Sequence, residues 1–218
     1  MLMKNATFMC TMHAISALFF VVAGIQYWSS DYFFDVLGTD KAVITTWFAF
    51  TSITAPIFGA VLGGQVMKLV GGIQTKYALP LCLFIGCLAC ISGLPVPYID
   101  NFYIAILLIW LLLFFGGMIL PNLTAIMLDS VEIKLKTRAN SIANLSYNLL
   151  GYFPAPILYG YLRDATGGKG SRGGMKLIMY MSLVSATLIF GAMLSKKMPS
   201  ATRNEPESNK RDRKENEN

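Results

Sequence analysis

The chain has 218 residues, of which 55% are hydrophobic and only 14% charged, and its mean hydropathy is +0.54. That is far more apolar surface than a soluble domain of this length can hide in one core, so a water-soluble globular fold is excluded. The formal net charge of +6 does not indicate a nucleic-acid partner, because many of the Lys and Arg residues sit in a mixed-sign C-terminal tail.

Six stretches contain no Asp, Glu, Lys or Arg: residues 8–28, 42–66, 77–96, 102–128, 141–162 and 177–195. A hydrocarbon core about 30 Å thick is crossed by about 20 helical residues rising 1.5 Å each, so every stretch is long enough to span it. Hydrocarbon offers the backbone no hydrogen bonds, and the apolar-polar alternation of barrel strands is missing. The predicted fold class is therefore all-α, an integral membrane bundle of six transmembrane helices. The first stretch is too long for a signal peptide and leaves through Gln26, Tyr27 and Trp28 without a small-residue cleavage site, so it is read as a retained span. Residues 1–7 form a short lead. Residues 196–218, almost devoid of apolar side chains, are predicted to be a disordered charged tail.

Basic residues near span ends accumulate on the cytoplasmic side. The 29–41 loop holds Asp31, Asp35 and Asp40, and the 97–101 loop only Asp100, so both read as external. The loops with Lys68 and Lys76, and with Lys134, Lys136 and Arg138, read as internal. Arg163, Lys169, Arg172 and Lys176 dissent, and the tail decides for a multi-pass protein with both termini cytoplasmic. In this topology the sequons at Asn5, Asn122 and Asn144 carry no sugar. Cys10, Cys82, Cys87 and Cys90 fall within spans and read as buried thiols.

Two spans share a signature: Ala55, Pro56, Ile57, Phe58, Gly59 in the second and Ala155, Pro156, Ile157, Leu158, Tyr159, Gly160 in the fifth. Each is the middle member of a group of three and the two run in opposite directions, as an inverted repeat of three plus three spans requires. Proline in a membrane helix removes a donor and bends the axis, so Pro56, Pro121, Pro154 and Pro156 are predicted helix bends.

Polar residues inside spans are the functional candidates. In the fifth span Asn140, Asn144, Asn148 and Tyr152 recur every fourth residue and form one stripe, which faces either an aqueous cavity or another helix. In the first span Tyr27 and Trp28 suit the interfacial aromatic belt, while Gln26 near the outer mouth is a candidate for substrate contact. His13, the chain's one histidine, is either a proton-coupling group or a neutral residue bonded to a neighbouring helix. The fourth span brings Gly116, Gly117, Pro121 and Asn122, a pattern of close approach followed by a bend that aims Asn122 at the pathway. No span contains a carboxylate, and no catalytic constellation, metal-ligand cluster or cofactor loop is visible. An enzyme, a bound metal and a cofactor are therefore not expected.

This arrangement, with polar first, second, fourth and fifth spans and bland third and sixth ones, resembles the C-terminal half of a major facilitator superfamily transporter. Arg138, Ala139, Asn140 and Ser141, running on to Pro154, Ala155, Pro156, Gly160 and Asp164, resemble the eleventh-helix region of spinster-type and organic-anion-type carriers. The superfamily's cytoplasmic loop motif is degenerate: Gly63, Gly64 and Lys68 are present, but Met67 stands where an Asp is expected. Gly160 and Asp164 keep the Gly-to-Asp spacing at the opposite end, where they suit a helix cap that steadies the Gly167–Gly174 loop.

The resemblance implies a carrier half that moves a small organic solute, such as an amphipathic anion or a lipid, by alternating access. It also implies a second six-helix half or a homodimer, with membrane lipid around both. Gln26, Asn122, Asn144, Asn148 and Tyr152 would line the substrate pathway. The alternative is a non-transporting scaffold or regulatory subunit whose polar stripe docks on partner helices.

Overall fold

Polar side chains at the edges of the apolar stretches set where the helices begin. The structure, a computed structural model, describes residues 2–195; the predicted tail lies outside the described residues. Asn5 caps α1 (Ala6–Asp35) by accepting from Phe8 N at 3.1 Å, and Asp40 caps α2 (Lys41–Leu69) by accepting from Ala42 N at 2.7 Å. Asn101 caps α4 (Phe102–Asp129) through Tyr103 N and Ile104 N. Between them lies α3 (Ala78–Gly93), which continues through a short 3-10 turn at Val96–Tyr98. The last long helix is α7 (Gly173–Ser195). Glycines end two of these helices: Gly38 after α1 has φ +66°, and Gly71 and Gly72 after α2 have φ +99° and +84°.

The described residues are mostly helical, without a strand. Five helices are long and apolar enough to cross a membrane: α1, α2, α3 with its 3-10 extension, α4 and α7. The helices overrun the charge-free stretches, and α1 carries Asp31 and Asp35 in its last turns. The fifth predicted span differs. It is divided into α5 (Lys136–Ser146), a π-helical segment (Tyr147–Tyr152) and α6 (Pro154–Ala165), none of which alone has the required length. The physical reason is proline. Pro154 and Pro156 supply no N–H, and the backbone adjusts by widening, so that Phe153 N reaches Asn148 O, five residues back, at 2.9 Å.

Two helices make the centre. Along its most apolar window α1 is 72% buried against 22% for α2, so α1 is interior and α2 peripheral. α1 packs on α7 and on the fifth region; α4 packs on α2 and α3; α3 and α7 also touch, as do α1 and α4. Apolar clusters fill both ends, with Ile15, Leu79, Ile119 and Leu123 in one and Ile25, Phe33, Ile109 and Ile178 in the other. One expectation fails: Cys87 lies on the outward face of α3 and is exposed, while Cys82 and Cys90 are buried.

Without a hydrophobic drive between helices in lipid, close contact needs small residues at the seam. The α2–α4 seam has them. A Cβ on Gly63 would lie 2.5 Å from Met118 O, and one on Gly117 would lie 2.7 Å from Pro56 O, so the two backbones nearly touch. The α1–fifth region seam is built alike, a Cβ on Gly151 meeting Ser16 O at 2.7 Å. Gly63→Leu should therefore lower stability by about 1–3 kcal/mol through forced separation of α2 and α4. Gly64→Leu, where a Cβ meets no atom within 4 Å, should change it by less than about 0.5 kcal/mol. Denaturant titration of both variants in micelles checks the pair.

Candidate functional site

The asparagine row occupies the exposed side of α5 and the π segment. Ala139 and Ala143 are fully buried against the bundle, and this turns Asn140, Asn144 and Asn148 outward. The amides of Asn144 and Asn148 are held by their own helix: Asn144 Nδ2 donates to Asn140 O at 2.9 Å, and Asn148 Nδ2 donates to Asn144 O at 2.8 Å. A backbone carbonyl only accepts, so the nitrogen faces the helix and the Oδ1 acceptors stay unengaged by that contact. Tyr152, 39% exposed, lies against the Phe19 ring of α1 with centroids 5.0 Å apart; Tyr147 flanks the same ring at 5.2 Å.

The backbone beside this row is also short of donors. Helical N–H groups for the carbonyls of Leu149 to Tyr152 come from the residues after Phe153, and two of the first three, Pro154 and Pro156, have none. At least two of those carbonyls therefore lack an intrahelical partner. In hydrocarbon an unpaired backbone group costs several kcal/mol, so this side of the fifth region requires water, a ligand or another polar surface.

The other predicted residues separate into distinct settings. Asn122 is buried at the α2–α4 seam, where Nδ2 donates to Gly63 O at 3.0 Å and to Met118 O at 2.8 Å. It is a cross-link between helices, not part of the exposed row. His13 is half-buried, and its Nδ1 donates to Met9 O of its own helix at 2.8 Å rather than to a neighbouring helix. Gln26 is exposed and lines a cavity inside the bundle together with Ser52, Pro56, Gly116 and Gly117. Pro56 and Pro121 lie inside continuous helices, and Pro121 faces outward.

Of the loop-motif residues, Gly63 serves helix contact, Gly64 is open, and Lys68 is exposed without a paired carboxylate among the described residues. Asp164 pairs with Arg163 Nε at 3.0 Å instead of capping α6; Thr166 closes that helix, donating from Oγ1 to Leu162 O. Gly160 gives room to Trp28, whose indole donates to Pro156 O at 3.0 Å and stacks on Tyr159 at 4.8 Å. Trp28 is thus a packed joint between α1 and α6 rather than a free interfacial ring.

Sequence reasoning missed several contacts. Ser16 and Ser146 share a hydroxyl–hydroxyl bond at 3.0 Å across the α1–α5 seam. Arg172 donates to Pro97 O at 3.1 Å and pairs with Asp100, clasping the α3–α4 connection to the start of α7. That pairing holds the guanidinium in its charged form more firmly than usual. Asn5 uses both ends of its amide, capping α1 and donating from Nδ2 to Ser130 O at 2.6 Å. Ser52 Oγ is buried without a partner; its signal was its place four residues before Pro56.

No protein-family model matches this sequence, and neither does any curated protein. The roles of the asparagines therefore rest on their geometry. Of Asn122, Asn144 and Asn148, Asn122 alone bonds across two helices, so Asn122→Ala should cost about 1 kcal/mol of stability. Asn144→Ala and Asn148→Ala, whose amides bond within their own helix, should cost less than about 0.5 kcal/mol. Unfolding of the three variants in the same micelles separates the two settings.

Proposed function

We propose that this chain is one half of a membrane carrier of the major facilitator type, moving a small organic solute by alternating access. The partner is a second six-helix half or a second copy of the chain. The fifth region adds one span to the five long helices, making six, with its π segment inside the bilayer. One observation carries the reading: exposed amides at Asn140, Asn144 and Asn148 adjoin backbone carbonyls left without donors by Pro154 and Pro156. Such a surface is costly against acyl chains and suits a water-filled path between two bundles. Tyr152, at the end of the row, and Gln26 on α1 extend the same polar lining. Asn122, engaged at the α2–α4 seam, supports the wall behind it.

An inverted repeat is supported by burial and by packing. Ala55 and Ala155 are fully buried, Pro56 and Pro156 half-buried, Ile57, Phe58, Ile157 and Leu158 exposed, and Gly59 and Tyr159 buried again. Exchanging the first three spans with the last three carries the α4 contacts with α2 and α3 onto the α1 contacts with the fifth region and α7.

The orientation with cytoplasmic termini follows the basic C-terminal tail, against Arg163, Lys169, Arg172 and Lys176 on the other side. Two of those four are ion-paired, Arg172 with Asp100 and Arg163 with Asp164, and Lys176 lies 5.0 Å over the Tyr98 ring. A scaffold role is favoured by one feature, the large apolar residues Leu149, Phe153 and Ile157 beside the amides, which suit a dry helix contact.

Uptake separates the readings. Proteoliposomes holding the chain alone, or joined to a matching half, should accumulate members of a panel of organic anions and lipids. Asn144→Leu with Asn148→Leu should reduce that uptake about tenfold or more, the equivalent of at least one lost hydrogen bond. Uptake unaffected by the double substitution, or absent in every combination, favours the scaffold.

A further inference from the structure

A cavity of about 110 Å³ lies inside the bundle, lined from α1, α2, α3, α4 and α7. Gly86, Ala89, Ser182 and Ser185 of α3 and α7 in its wall show that it reaches into the bundle's own interior. Its lining is mostly Leu, Val, Ile, Ala and Gly. On the same kind of measure a water needs about 10–15 Å³, and an apolar cavity of about 150 Å³ stays dry and accepts benzene. The space here is of that order.

Of the four polar side chains in the wall, Gln26, Ser52, Ser182 and Ser185, two are spent: Ser185 Oγ donates to Ala14 O at 3.0 Å and Ser182 Oγ to Met179 O at 2.6 Å. Gln26 is exposed, and the Ser52 hydroxyl is buried without a partner. On the same helix Thr45, Thr46 and Thr54 each return their hydroxyl to the carbonyl four residues back. Ser52 does not, and Pro56 denies its carbonyl the usual helical donor as well. Buried hydroxyls are almost always bonded, so one left open beside an apolar void marks a place for a polar atom that arrives from outside. Gln26, exposed yet part of the lining, gives that atom a way in.

We propose that this cavity is a binding site for a small, uncharged, mainly apolar molecule with one hydroxyl, its apolar body between α1, α3, α4 and α7 and its hydroxyl on Ser52. The site stands whether or not the chain transports. Gly116 offers the means to close it, since it lines the cavity and a Cβ there meets no atom within 4 Å.

Fluorine NMR of the chain in lipid nanodiscs, with 4-fluorophenol and fluorobenzene as probes and empty nanodiscs as background, tests the assignment. Both probes should bind saturably above background, and Gly116→Leu should abolish both signals. Ser52→Ala should weaken 4-fluorophenol about fivefold, the effect of one neutral hydrogen bond, and leave fluorobenzene unchanged. Gly86→Val, with the nearest atoms 3.8 Å from its Cβ position, serves as a second filling variant should Gly116→Leu lower the melting temperature. No saturable signal above empty nanodiscs, binding that survives the filling variant, or an equal response of the two probes to Ser52→Ala overturns the proposal.

Discussion

Hydrocarbon's inability to hydrogen-bond is the constraint from which the rest of this structure follows. It makes every long apolar stretch a helix, and it drives hydroxyls such as those of Thr11, Ser16 and Thr124 back onto carbonyls of their own helices. Where the rule is kept, the helices serve as framework. Where it is broken, something polar must come from elsewhere. The fifth region breaks it most openly, with two prolines, a π segment and exposed amides between residues 140 and 156. Ser52 beside Pro56 breaks it in the interior.

These exceptions are held in place by seams of small residues. Gly59, Gly63 and Gly117 bring α2 against α4, and Gly151 brings the π segment against α1. Asn122 then bonds across the first seam and Ser16 with Ser146 across the second. Each seam thus combines close backbone approach with side-chain bonds across it, Trp110 to Thr54 and Trp28 to Pro156 O adding to these two, and each carries a proline whose missing donor lies near it. Position and polarity are coupled: the same turns that set the peripheral helices against the centre also open their backbones.

Absence of charge made the helices legible, because a run of about 20 uncharged, mostly apolar residues suits a bilayer-crossing helix and little else. The asparagine row was legible too, since a spacing of four fixes one helical face. The division of the fifth span was half visible: Pro154 and Pro156 announced a disturbance, but a π segment depends on where Phe153 N finds its acceptor, which spacing does not encode. The seam contact of Asn122 was hidden for a related reason. Its amide was visible, yet only the packing of α2 against α4 places Gly63 O within its reach. His13 and Trp28 likewise found partners that periodicity does not reveal, the first in its own helix and the second in α6.

Water at the asparagine row is the central claim, and spin-label accessibility measures it directly. Nitroxides placed singly at positions 144 and 148, in the chain reconstituted in bilayers, should collide more often with a water-soluble nickel chelate than with oxygen. Labels at Phe84 and Ile91, on the exposed apolar side of α3, should show the reverse. Oxygen dominating at 144 and 148 as it does at 84 and 91 would place the amides in lipid and contradict the account.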